Sequence, residues 1–247
     1  MVDVIQALAG DDAGLAKLAR IRLGSVEPTT LTARFVEAVA SLPKCCPHFH
    51  VSLQSGCDST LGRMNRKYST LEYSNAVARL RAKVKDVALT TDIIVGFPGE
   101  TDSDFEESLE FVRQIGFAAV HVFPFSPRKG TVAAKMSDQI APEIKARRSE
   151  RMIALATELS RTFHEHMLGR EWDVLIEEKD ADGRYIGHTG NFTKCACVRA
   201  QEICGAPQTL AAGISHGEGV IGEIVRVKAV GIEGDKIVGN LVEDDES

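Results

Sequence analysis

Asp92 stands in the middle of residues 88–95, an otherwise apolar and β-branched run. A carboxylate buried there without a partner would be costly. It either hydrogen-bonds a ligand or is satisfied by arginine, threonine or backbone donors of its own fold. His48 and His50 are two residues apart, hence on one face of a strand, a spacing that can serve a metal. No third ligand is evident nearby in sequence, so packing or hydrogen bonding is expected of both and no metal site is predicted. Residues 24–27, 53–56, 95–100 and 123–127 each follow a strand-like run and are rich in Gly, Pro, Ser or Gln. Each alone reads equally as loop punctuation. Together they suggest strand ends where a ligand can approach backbone, as in parallel α/β architectures.

Basic residues cluster in three places: Arg63, Arg66 and Lys67; Arg128 and Lys129; and Arg147, Arg148 and Arg151. A solvated surface is the ordinary use of such clusters. The first two adjoin strand ends, where an anionic ligand or an RNA phosphate would be met. Six cysteines fall at Cys45, Cys46, Cys57, Cys195, Cys197 and Cys204. Their spacings do not match paired Cys-x-x-Cys zinc ligands, and in a chain of this size they read as reduced thiols.

These residues need elements to position them. The chain has 247 residues, 44% hydrophobic and 26% charged, close to an ordinary globular protein with a sizeable core. No apolar run is long enough to span a bilayer, and the first ten residues carry no secretory pattern, so a cytoplasmic protein is expected. The net charge of −6 is uneven: residues 170–247 hold 15 acidic against 8 basic side chains. A globally basic nucleic-acid-binding face is absent, leaving RNA contact to local clusters.

Strand-like and helix-like segments alternate through the first two-thirds. Residues 19–24, 48–53, 88–95 and 118–123 read as strands. Residues 28–40, a stretch capped by Ser69 and Glu72, and residues 101–115 read as helices. Gly116 stops the last of these. Strand, helix, strand is a βαβ crossover and demands a parallel sheet. A long basic helix is predicted from Pro142 to about Leu168, with Met152, Leu155, Leu159, Phe163 and Met167 as its apolar stripe. Beyond a boundary at Gly169, five short strand patterns (172–177, 184–188, 192–199, 219–230 and 236–241) predict a small β-barrel, with a looser insertion at 201–217. The expected fold is therefore α/β: a partial parallel (β/α) barrel over residues 1–169, then an all-β barrel over 170–247.

The string HFHVSLQSGCDSTLGRMNRKY (48–68), followed by TTDIIVGFPGET (90–101) and HVFPFSPRKGT (121–131), resembles the radical S-adenosylmethionine (SAM) tRNA methylthiotransferases. The detail is closest to the threonylcarbamoyladenosine branch. VLIEE, GHTGNF and GEIVRVKAVGIEGDKIVG in the last third resemble the TRAM domain of that family. The resemblance implies a methylthio transfer to C2 of a modified adenosine beside the anticodon, with SAM and [4Fe–4S] clusters as cofactors and the tRNA anticodon stem-loop as partner. Neither DNA nor a membrane is implied, and the oligomeric state is open.

Carried over by position, Ser25, Gln54, Ser55, Asp92, Val95, Gly96, Phe123 and Pro124 would line the SAM pocket, and Arg66 would face its carboxylate. Arg63, Lys67, Arg128 and Lys129, with Asn191, Phe192 and Lys194 of the TRAM-like motif, would meet RNA. Catalytic residues are not assigned. The family binds its cluster on a Cys-x3-Cys-x2-Cys loop, and no such triplet occurs among the six cysteines. The resemblance therefore implies a C-terminal portion of such an enzyme without its cluster-binding part. The alternative is a non-catalytic remnant with at most weak SAM or RNA binding.

Overall fold

A computed structural model describes residues 2, 3, 7, 18–198 and 220–242. The expected insertion at 201–217, and Cys204 within it, lie outside the described residues. The chain divides into two compact units, Met1–Ser160 and Arg161–Ser247. The division falls inside the long helix, ahead of the boundary expected at Gly169.

The first unit is built on four parallel strands: β1 (Ser25–Val26), β2 (His48–Val51), β3 (Ala88–Val95) and β4 (Ala119–Pro124), adjacent in chain order. The strand expected at 19–24 does not form as one piece. Ile21 makes only an isolated bridge to Cys45, and regular pairing begins at Ser25 opposite His50. Pro47 lies between the two contacts and has no N–H to continue the ladder.

Among the described residues, the α-helices that follow β1 are α1 (Ala33–Ala40), α2 (Asp58–Arg63), α3 (Thr70–Lys83), α4 (Asp102–Ile115) and α5 (Pro142–Glu165). The helix expected over 28–40 is interrupted. A 3-10 turn at Pro28–Thr30 precedes Thr32, whose hydroxyl accepts from the Phe35 amide at 3.2 Å and starts α1 afresh. Short α2 was not foreseen. The capping box expected from Ser69 and Glu72 is present at α3, and the structure shows another, Thr101 with Asp104, at α4. Gly116 closes α4 in the left-handed region at φ 66.

Alternation along β3 separates two faces. Leu89, Ile93 and Val95 join Phe49, Val51, Tyr73, Leu80, Phe105 and Val112 in one core beneath the helices. Thr90, Asp92 and Ile94 lie on the opposite, more open face. Met152, Leu155 and Leu159 of α5 belong to this core, whereas Phe163 and Met167 belong to the second unit's core.

The second unit is a closed five-stranded barrel, ordered β5 (Glu171–Lys179), β6 (Tyr185–Thr189), β7 (Lys194–Val198), β9 (Lys236–Leu241) and β8 (Ile224–Glu233). Closure leaves no free sheet edge. Val174, Ile176, Val227 and Ile237 point inward together with Cys195 and Cys197. Gly187 and Gly239 stand where a Cβ would strike a neighbouring strand: 1.9 Å from the Leu175 carbonyl oxygen and 2.2 Å from Val227 Cγ1.

Candidate functional site

Parallel register brings the four predicted strand ends to one edge of the sheet. Ser25 pairs with His50, His50 with Thr90, and Val95 with Pro124. Past the end of β2 the chain continues the ladder through Gln54, whose amide donates to the Asp92 carbonyl and whose carbonyl accepts from Ile94, each at 2.9 Å. Gln54 does this with φ 70, a left-handed conformation that costs a non-glycine residue free energy and is held by the two backbone bonds to β3. Its side-chain amide is nearly buried and makes no hydrogen bond among the described residues. Ser55 is buried, and its hydroxyl accepts from the Cys57 amide at 3.3 Å.

Of the residues expected around a cofactor, Ser25, Asp92 and Phe123 share the open face of the sheet, and Phe123 is 51% exposed. Val95 does not share it. Its side chain is in the helix-side core and its carbonyl accepts from Phe125 at 2.8 Å, so this position offers the edge no free group. Pro124 pairs with it and is exposed at the end of β4. Arg66 is half-buried two residues before Tyr68, whose hydroxyl lies 3.0 Å from the carbonyls of Ser52 and Leu53.

The loop after β3 is locked from several sides. The Gly96 amide donates to Glu100 Oε2 at 2.7 Å, and Gly96 and Gly99 take φ values of 70 and 76. Arg148 of α5 donates to the same Glu100 oxygen at 2.7 Å and to Asp102 at 2.7 Å. Burial raises the Glu100 carboxyl above its ordinary range, opposed by the Gly96 amide and Arg148. The Arg147–Arg148–Arg151 cluster is therefore not a free basic surface. Arg148 is buried, Arg151 forms a two-pronged pair with Glu106, and Arg147 lies 3.8 Å from Asp102. The acidic partners follow β3 in sequence, and only the fold brings α5 to them.

Only one of the two histidines expected to serve packing or hydrogen bonding meets further potential metal ligands. His50, Asp92 and His121, from three adjacent strands, bring ligand atoms within 4.8 Å of one another on the open face, and His48 is not part of the group. Sequence spacing could not show this, because the two further ligands lie on other strands.

The basic residues expected to meet RNA fare differently. Arg63 pairs with Asp104 at 2.8 Å and packs beside Gly99, so its charge is already matched. Lys67, Arg128 and Lys129 are exposed, with Lys67 donating to Asn65 at 2.7 Å. In the second unit, Asn191 is buried, and its Oδ1 accepts from the hydroxyls of Thr189 at 2.5 Å and Thr193 at 3.0 Å. It organises the turn that presents Phe192. The Phe192 ring is 39% exposed and stacks on His188, centroids 4.4 Å apart and planes 12° from parallel. Lys194 opens β7 opposite His188.

The described cysteines do not converge as ligands of a [4Fe–4S] cluster would. Cys45 and Cys46 precede the first residue of β2, at the end of the strand opposite Gln54. Cys57 is buried with its thiol 3.3 Å from Asp104, and burial pushes its pKa to about 11. Cys195 and Cys197 face each other at 3.9 Å inside the second unit's barrel. No three cysteines converge among the described residues.

Residues 10–112 match the sequence profile of the Radical SAM superfamily. The fold resembles Escherichia coli coproporphyrinogen III oxidase (HemN), a radical SAM enzyme, with a TM-score of 0.53 at 13% identity over 77% of this chain and 50% of that one. Over residues 10–112 the chain is thus similar to the Radical SAM superfamily, and its parallel sheet resembles the fold of that enzyme. The chain is also similar to curated tRNA methylthiotransferases. It is 37% identical to the threonylcarbamoyladenosine tRNA methylthiotransferase MtaB of Thermotoga maritima over 78% of this chain and 43% of the relative. To the Bacillus subtilis protein of the same name it is 33% identical over 84% and 47%. To the tRNA-2-methylthio-N(6)-dimethylallyladenosine synthase of Nocardia farcinica it is 41% identical over 67% and 33%. The chain thus spans between a third and a half of the length of these relatives.

Proposed function

We propose that this chain carries the SAM-facing sheet and an RNA-contacting barrel of a cytoplasmic tRNA methylthiotransferase acting on threonylcarbamoyladenosine beside the anticodon. The observation that supports this branch is the reach of the similarity. Matches to the threonylcarbamoyladenosine enzymes run over 194 and 215 residues, against 165 for the Nocardia farcinica dimethylallyladenosine synthase.

Bound at the carboxyl edge, SAM would supply the sulfonium and adenosyl groups of the reaction. In this reading Arg66 faces its carboxylate and the Gln54 amide offers a donor and an acceptor. Ser25 and Asp92 contribute hydrogen bonds from the open face, while Phe123 and Pro124 give the adenine an apolar wall. Ser55 and Gly96 shape the backbone around it. The dispersed cysteines favour a second reading for these residues by themselves: binding of SAM or RNA without chemistry. Anaerobic reconstitution with iron and sulfide separates the two. Stoichiometric cluster formation would remove the second reading.

The function is tested on tRNA nucleosides from cells in which the gene encoding this chain is deleted. Mass spectrometry should find the 2-methylthio form of threonylcarbamoyladenosine lost and its unmethylthiolated precursor accumulated. Loss of the dimethylallyl nucleoside instead would reassign the substrate, and an unchanged nucleoside profile would remove the proposal.

A further inference from the structure

His50, Asp92 and His121 come from the three adjacent strands β2, β3 and β4. Asp92 and His121 are direct register partners, and His50 pairs with Thr90, two residues before Asp92 on the same face. Side chains held this way stand on sheet backbone rather than on loops, which fixes their mutual geometry. His50 Nε2 lies 3.4 Å from Asp92 Oδ2. A charge-assisted hydrogen bond between such groups is normally about 2.7–2.9 Å. Two ligands at bond lengths of about 2.0–2.1 Å around a tetrahedral ion stand about 3.3 Å apart. The His50–Asp92 separation matches that spacing, and His121, whose ligand atom lies within 4.8 Å of both, would close on the ion when it binds.

The surroundings agree. His50 Nδ1 is 3.1 Å from the Thr90 hydroxyl, the outer hydrogen bond that fixes ring orientation in metal-binding histidines. The His50 and His121 rings lie nearly parallel, 28° apart with centroids at 6.1 Å. His121 is exposed, whereas His50 and Asp92 are 14% and 33% exposed at the side chain. Two imidazoles and one carboxylate suit a borderline divalent transition ion rather than magnesium or calcium, which take oxygen ligands.

We propose that His50, Asp92 and His121 bind one divalent cation of the zinc and iron(II) class, with a fourth coordination position on the open face of the sheet. The site shares Asp92 and the open face of the sheet with the cofactor pocket proposed above, but its metal binding requires no bound cofactor. Asp92 can serve both, since Oδ2 faces His50 and Oδ1 makes no hydrogen bond among the described residues.

The test uses the full chain, reduced and stripped of metal, titrated with Zn2+ by calorimetry and with Co2+ by visible absorbance. One ion per chain is expected, with Co2+ d–d bands and no intense thiolate-to-metal band. His121→Ala, at an exposed position that leaves folding intact, should weaken binding by more than about 100-fold. Thr90→Val should weaken it by about 10–100-fold. Cys45→Ser combined with Cys46→Ser should change nothing, and Mg2+ should not compete. Absence of saturable binding, a dominant thiolate band, or affinity kept within twofold in both His121→Ala and Asp92→Asn would overturn the site. Circular dichroism of each variant confirms that a lost signal reports coordination.

Discussion

Arg148 and Glu100, 48 residues apart, form a 2.7 Å ion pair in which the two side chains are 4% and 2% exposed. The same Glu100 oxygen accepts the Gly96 amide, so a buried charge pair anchors the loop at the end of β3. Such pairs add little against an apolar replacement of both partners, but leaving one charge behind is severe.

Arg148→Met should therefore destabilise the first unit by about 3–5 kcal/mol, because Glu100 remains buried without its cation. Combining Arg148→Met with Glu100→Gln should recover part of that loss. Urea midpoints at neutral pH for the wild type and the two variants check this. Equal destabilisation in both would show that the pair has no coupling.

In the barrel, Gly187 is opposite Ile176, and an added Cβ would lie 1.9 Å from the Leu175 carbonyl oxygen. The obstacle is backbone, which cannot rotate away. Gly187→Ala should cost about 1–3 kcal/mol or more, through separation of β5 and β6. Chemical denaturation followed by the fluorescence of Trp172 reads it. A change within error would mean that the two strands part freely there.

Glu233 accepts from Arg184 and Lys236, and these bonds hold its carboxyl down at about 2 from an ordinary 4.5. A carboxyl depressed in the folded state contributes stability that is present above 4.5 and disappears as pH falls through about 2. Glu233→Gln should lower the melting temperature at neutral pH, and the gap to wild type should close across that acid window. A gap independent of pH would show that the loss is one of packing.

If the chain meets tRNA as proposed, exposed Lys67, Arg128 and Lys129 should carry the salt dependence. Replacing all three by alanine should lower the slope of log affinity against log salt by about 2–3. Arg63→Ala should act mainly on stability, since its charge is matched by Asp104. Phe192→Ala should lose about 1–3 kcal/mol of binding if the ring stacks on a base, with little change in melting. Binding isotherms of the full chain across a salt series measure all three effects. An unchanged slope in the triple variant would remove these cations from the interface.

The sequence by itself determined what is decided within a few residues. Ser69 with Glu72, and Thr101 with Asp104, cap their helices through contacts three residues apart. Gly116 ends α4 because only a residue tolerant of the left-handed region fits there. The β-branched run at 88–95 is a strand wherever it lies, and alternation predicted five barrel strands from local pattern alone. Tertiary structure decided which distant residues meet. Helix α5 gives no local sign that Arg148, unlike its neighbour Arg147, turns toward a buried carboxylate. His50 and His121 are 71 positions apart and share a face with Asp92 only because of the register of three parallel strands. Cys195 and Cys197, two residues apart, become core side chains once closure of the barrel assigns that face to the interior. Backbone conformation answers to neighbouring residues, whereas register and burial answer to the whole chain, and the candidate metal site depends on register.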